Sequence, residues 1–305
     1  MKGIKTLLAT MLVVMIGLNI KEETFAFSQE NQIDNYSTDI TTDAPMEVYC
    51  PEFPDAYIII EKNNLENLLS LKEGANDEVN LGTVKATVFV EESYGVEDGK
   101  RVITNSRLLS KEEVDAIGVE NFENIQTRAA SNSRGKLTIT FSGSYGISGN
   151  SVTCNLNGNA KWSGFNLFAS PIDQPAVGRD FCGFVWGGDF YVTQLSASAQ
   201  LSGSGMNWPV TLENATPTSG RVWSFDEFHT DTNLNYCVSN ADFFAQIHKN
   251  SMTGNGNVTE AILQYIHTYQ VVTGGISVSD SSLSYSLSNT EKQWSLVCSV
   301  YGIPY

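Results

Sequence analysis

The densest group of chemistry-bearing side chains is Trp223-Ser-Phe-Asp226-Glu227-Phe-His229-Thr-Asp231, where three carboxylates surround an imidazole. Paired acids beside aromatic rings are what glycosidases use to protonate a leaving oxygen and attack a sugar. Asp226 and Glu227 are neighbours, so on a strand they point to opposite sides. They cannot form that pair with each other, and either would need a distant partner such as Asp189 or Asp180. The plain alternative is a solvated acidic loop. Calcium also suits carboxylates and loop carbonyls, but no EF-hand spacing or glycine/aspartate repeat is present.

The aromatic rings are the second candidate. Trp162, Trp186, Trp208, Trp223 and Trp294 all fall in the second half of the chain. Such rings either stack on flat sugar faces or fill the wide core of a β-sandwich. Trp162 and Trp294 sit in strand-like runs and read as core. Trp208, before Pro209, and Trp223, beside the acids, are better placed for exposure. The candidate ligand-binding set is therefore Trp208, Trp223, Asp226, Glu227 and His229.

Other chemistries find little support. His229, His248 and His267 are isolated from one another, with no HExxH or HxH, so no metal site and no cofactor are expected. Cys182-Gly-Phe-Val-Trp186 places a thiol in an apolar run, which raises its pKa, whereas a thiol nucleophile needs it lowered. There is no G-x-S-x-G elbow, S-x-x-K or P-loop, so no catalytic residue is assigned. The remaining cysteines are Cys50, Cys154, Cys237 and Cys298. Cys154, Cys182, Cys237 and Cys298 permit three disulfide pairings in an oxidising space, against the alternative of buried free thiols.

The elements that must position these residues follow from patterning. Residues 1–128 hold 23 of the 34 acids and 11 of the 18 bases, hence −12 of the net −16; residues 129–305 carry the other −4. This break predicts two folding units joined by a linker at 126–133, with Arg128 as a possible processing point. Residues 1–26 resemble a secretory signal: Lys2 and Lys5, an apolar run from Leu7 to Leu18, then Thr24-Phe25-Ala26, with cleavage after Ala26. Residues 27–46 read as a disordered leader. Residues 47–125 read as a small acidic α+β unit or pro-region, with strands near 56–61 and 83–90 and a helix over 64–71. A capping box at Ser110 and Glu113 begins a second helix, buried through Val114 and Ile117 and ended by Gly118.

Residues 134–305 alternate with period two over nine or ten segments, which predicts a mainly β fold: an antiparallel two-sheet β-sandwich preceded by the small α+β unit. Gly274-Gly275 reads as a hairpin turn and Gly187-Gly188 as a bulge. A net charge of −16 excludes nucleic acid and disfavours anionic membrane surfaces, and no later stretch is apolar enough to span a bilayer as a helix. The expected function is a secreted, extracellular, non-catalytic β-sandwich protein binding an extracellular ligand or surface, with carbohydrate as a candidate partner. The alternative is a secreted toxin or hydrolase made as a precursor and activated by cleavage near Arg128.

Overall fold

The computed structural model describes residues 46–63, 78–97, 100–122, 132–165, 168–169, 178–202, 206–216, 219–230, 235–252, 257–269, 274–278, 283–287 and 292–305. All belong to one compact unit, Thr42–Tyr305. In chain order the first elements are β1 (Val48–Tyr49), β2 (Ile58–Asn63), β3 (Val79–Glu97), β4 (Lys100–Leu108), α1 (Lys111–Ile117), β5 (Asn132–Ser148) and β6 (Ser151–Ser163). There follow β7 (Phe168–Ala169), β8 (Arg179–Trp186), β9 (Tyr191–Leu201), β10 (Asn207–Trp208), β11 (Thr211–Thr216) and β12 (Gly220–Asp226). The last are β13 (Phe228–Thr230), β14 (Asn235–Lys249), β15 (Val258–Thr268), β16 (Gly274–Val278), β17 (Leu283–Leu287) and β18 (Gln293–Pro304).

Every strand pairing among the described residues is antiparallel. One sheet runs β1-β18-β15-β8-β12-β11; a larger one runs β10-β9-β14-β6-β5-β3-β2, with β4 beside β3 and with β7 and β13 on β14. Period-two alternation makes the inner face. On β5 and β6 every second residue is buried, so Leu137, Ile139, Phe141, Val152, Cys154 and Leu156 point one way. They meet Phe184, Leu263 and Leu296 of the other sheet in one continuous core, with Phe141 against Phe184 and Trp223 against Phe243. The expected two-sheet antiparallel sandwich is the architecture found. The strands β8 and β15 are buried on both faces, β8 through a largely apolar run and β15 through one interrupted by the buried Gln264, His267 and Thr268; Phe181, Val185, Val222, Ile262, Ile266 and Val297 make a second buried cluster.

The acidic stretch from 47 to 122 does not stand apart. β3 pairs with β5 from Val79↔Tyr145 to Ser93↔Asn132, and its Val84, Ala86, Val88 and Val90 lie in the common core. β1 pairs with β18 in the other sheet. The charge break is therefore a change in what faces water, not a boundary between bodies. The Ser110 capping box is formed: the Glu113 amide donates to Ser110 Oγ at 3.4 Å and the Ser110 amide to Glu113 Oε2 at 2.9 Å. Val114 is fully buried, and Gly118 takes a positive φ of 87° that favours glycine. Helix α1 seats Val114 beside Phe89, Leu109 and Phe122.

Three expectations need correction. All five cysteines are free and buried, so none of Cys154, Cys182, Cys237 and Cys298 is bridged. Burial pushes the Cys154 and Cys298 thiols up to about 12, leaving them inert apolar fillers. Gly274 and Gly275 are not a turn but lie within β16, opposite Leu287 and Ser286 of β17. Gly187-Gly188 follows the end of β8 instead of bulging inside it, in a turn with positive φ at Gly188 and Asp189. The leader up to residue 45, Ala26, Arg128 and the helix read over 64–71 lie outside the described residues, while Met46, read as the leader's last residue, is buried in the core.

One ionic arrangement ties the acidic stretch to the rest. Glu91 of β3 stands opposite Arg107 of β4 and Arg134 of β5, accepting from Arg107 Nη2 at 2.9 Å and Arg134 Nε at 2.7 Å. Burial alone would raise the Glu91 pKa, but the two guanidinium groups outweigh it and hold it below the usual range. A depressed folded value means the stabilisation is present above the unfolded pKa and lost as pH falls through the folded one. Glu91→Gln is expected to destabilise the protein by about 1–3 kcal/mol at neutral pH and to flatten the acid limb of stability against pH, read by urea unfolding between pH 7 and 3.

Candidate functional site

Two places concentrate polar chemistry. The first is the outer face of the larger sheet. Strand register aligns side chains there in rows that cross several strands. One row is Ser198, Asp242, Asn159, Thr140 and Lys85; the next is Ser196, Phe244, Asn157, Ser142 and Thr83. Both follow from alternation: on β14 the odd-numbered Phe243, Ala245 and Ile247 are buried, which turns Asp242, Phe244 and Gln246 outward. The polar groups hold one another. Asn159 Nδ2 donates to Asp242 Oδ1 at 2.7 Å and Asn240 Nδ2 to Asp242 Oδ2 at 2.9 Å, while Gln246 Nε2 donates to Asn155 Oδ1 at 3.1 Å. The rows form a shallow open concavity of about 300 Å³, with Phe244 the aromatic ring turned outward into it.

The second place is buried. Asp180 at the start of β8, Glu227 just after β12 and His267 near the end of β15 converge where the register pairs Asp180 with Phe225 and Phe181 with Ile266. Their relative exposures are 0%, 6% and 1%. His267 Nδ1 lies 3.1 Å from Asp180 Oδ1 and 2.9 Å from Glu227 Oε1. The two carboxyl groups are hydrogen-bonded to each other. Asp180 also accepts from the Tyr265 hydroxyl, and from the Thr268 amide at 3.1 Å; Tyr265 in turn accepts from Trp162 Nε1 at 3.0 Å. The His267 ring lies among Trp162, Trp294 and Tyr269.

The electrostatics sort these groups. Burial would raise Asp180, but the His267 charge and the hydrogen bonds from Glu227, His267 and Tyr265 outweigh it and hold it down. Burial, and then the Asp180 charge, push Glu227 far up, so it carries the proton between the two acids. Burial would lower His267, yet Glu227 and Asp180 raise it well above the ordinary value. Glu92, also buried, is raised by its burial and accepts from the Tyr94 hydroxyl at 2.7 Å.

Of the candidate ligand-binding set only Glu227 enters this group, where it meets Asp180, one of the two distant partners that the sequence offered for it. Asp226 is exposed and pairs with Arg179 Nε at 3.1 Å, so these neighbours do take opposite sides. Trp223 is 3% exposed, in the core against Phe184 and Phe243, and offers no stacking surface; the row of apolar partners on β8 draws it inward. Trp208 is half-buried, with its indole N–H held by the Asp226 carbonyl at 2.7 Å. The backbone of His229 pairs with Tyr236, and its side chain lies outside the described residues. A glycosidase keeps its two carboxyl groups about 5–9 Å apart with the sugar between them, whereas Asp180 and Glu227 touch. That geometry does not fit a sugar hydrolase.

No protein-family model matches the chain, and no curated protein matches it. Among solved structures it is similar to the collagen adhesin of S. aureus, at 8% identity over 76% of this chain and 91% of that one, with a TM-score of 0.23. It is also similar to the collagen binding domain of the Erysipelothrix rhusiopathiae surface protein RspB, at 5% identity over 83% and 98%, with a TM-score of 0.18. Superpositions this loose carry no argument about what the chain does. No helix among the described residues is long and apolar enough to cross a membrane.

Proposed function

We propose that the protein is a non-catalytic binding module, exported by its first 26 residues, whose ligand lies across the outer face of the larger sheet. The observation that carries this reading is the pair of cross-strand rows centred on Asn159 and Asn157, with Phe244 among hydroxyls and amides in an open concavity. Hydroxyl and amide groups at roughly 4.7–4.9 Å strand spacing present a regular lattice of donors and acceptors. Such a lattice with one ring for apolar contact fits an extended polymer lying across the strands, and a glycan chain is the class whose repeating hydroxyls match it best. The buried acids support the non-catalytic half of the reading, because no substrate can reach a group this enclosed without the core opening.

The test is binding of the whole exported chain to a broad glycan panel and to host glycoproteins, alongside Phe244→Ala and Ser142→Arg. Phe244→Ala is expected to weaken binding by about 1–3 kcal/mol, roughly 5-fold to 150-fold, and Ser142→Arg to block it by filling the concavity, with the unfolding midpoint of both unchanged. Glycan binding that both substitutions leave intact would place the ligand elsewhere.

A further inference from the structure

Glu92, Asp180 and Glu227 place three acids beside one base, His267, all nine-tenths or more buried. Fully ionised, the group is two charges short of neutrality, a deficit the interior does not tolerate. Two protons cancel it; one divalent cation bound through a neutral His267 also does, with the buried Glu92 keeping its proton. The geometry favours the cation in two ways. One ligand atom each from Asp180, Glu227 and His267 lies within 4.8 Å of the others, and the contacts from His267 Nδ1 are 2.9 and 3.1 Å. An ion with bonds of about 2.0–2.2 Å holds its ligands roughly 3.0–3.6 Å apart, so the side chains need shift by only a few tenths of an ångström. Independently, His267 Nε2 is buried with no hydrogen-bond partner among the described residues. An imidazolium would strand a charged N–H there. A ring bound to metal through Nδ1 stays neutral, which reduces that penalty.

We propose that Asp180, Glu227 and His267 form a structural site for one divalent transition-metal ion, Zn²⁺ being the best match, with the Tyr265 oxygen, which donates to Asp180, beside them. The nitrogen donor disfavours Ca²⁺ and Mg²⁺, and the enclosure leaves no place for the six to eight oxygens or the retained waters those ions take. The ion would tie together the ends of β12, β8 and β15, three adjacent strands, and binding would expel the proton shared by the carboxyl pair. This site stands apart from the proposed binding face and does not depend on it.

The experiment uses the untagged whole chain, stripped with a chelator and titrated with Zn²⁺ by calorimetry in two buffers of different ionisation enthalpy. One Zn²⁺ per chain, proton release and an unfolding midpoint that climbs with Zn²⁺ are expected. Glu227→Gln keeps the hydrogen bond to Asp180 but removes a ligand, and is expected to lower affinity by about 100-fold while leaving the metal-free midpoint near wild type. Failure to take up Zn²⁺, or undiminished uptake by the variant, overturns the proposal. Should the variant not fold, Co²⁺ bound to the wild-type chain decides: a ligand-field spectrum of one nitrogen and oxygen donors at one equivalent supports the site, and its absence overturns it.

Discussion

A chain beginning at Ala129 is expected to be recovered unfolded or aggregated, not as an active β unit. Truncation there removes β3, whose Val84, Ala86, Val88 and Val90 are fully buried, and with it Leu108 of β4 and Met46 and Cys50 around β1. Burying each Val or Leu side chain contributes about 1.5–3 kcal/mol, so these residues together match or exceed the roughly 5–15 kcal/mol that holds a domain folded. The seventeen residues of β5 would also become an unpaired edge carrying Leu137, Ile139 and Phe141, a template for aggregation. Circular dichroism, size exclusion and dye binding on the truncated chain check this. A soluble chain with a cooperative unfolding transition would restore the precursor reading, in which the acidic part is a removable mask. A cut near Arg128 without truncation is expected to leave both pieces together, because the β3–β5 ladder runs from Val79↔Tyr145 to Ser93↔Asn132, and to separate them only in denaturant.

Why the charge break misled is a matter of faces. Alternation depends on one face being buried, and it made β3, β5, β6 and β14 legible residue by residue. Which strands become neighbours depends on partners far along the chain. Acids such as Glu61 and Glu113 sit on the solvent side of the early elements, whereas the later outer faces carry Ser, Thr and Asn; the core behind them is shared. The buried acids were half legible for the same reason. Adjacent residues on a strand point opposite ways, which separates Asp226 from Glu227 and calls for a distant partner. Period two from Leu263 through Tyr265 also puts His267 on the core side of β15. What no local pattern contains is that β8 lies between β12 and β15, and only that order brings Asp180 to both Glu227 and His267. The tryptophans were harder still. Trp208 and Trp223 were separated from core residues by flanking Pro and acids, but a ring is drawn inward wherever the facing sheet leaves room, as beside Phe184 and Phe243.

Asp180→Ala in the metal-free protein is expected to lose about 3–5 kcal/mol, or roughly 10–15 °C in the unfolding midpoint for a body of this size. The carboxylate is the common acceptor for Tyr265, His267, Glu227 and the Thr268 amide; without it a raised imidazole and three donors are left buried with nothing to accept them. Asp180→Asn should lose less, since an amide oxygen still accepts from two of these donors, and Glu227→Gln least, since its amide donates where the protonated acid did. The order Ala, Asn, Gln is the signature of an ionised acceptor at the centre of these donors. Equal losses would mean that packing alone matters here. The pH response follows from the same assignment. Asp180 is depressed in the fold, so its contribution is present above the unfolded value of about 3.9 and is lost as pH falls through the folded one. Glu227 and His267 are raised, so theirs are complete below their unfolded values of about 4.3 and 6.5 and are lost as pH rises through the folded ones. Stability of the metal-free chain should therefore peak in mildly acid solution and decline toward alkali. Asp180→Ala should remove the Asp180 part of the acid limb, and because the carboxylate is one of the charges that raises Glu227 and His267, it should shorten the alkaline decline as well.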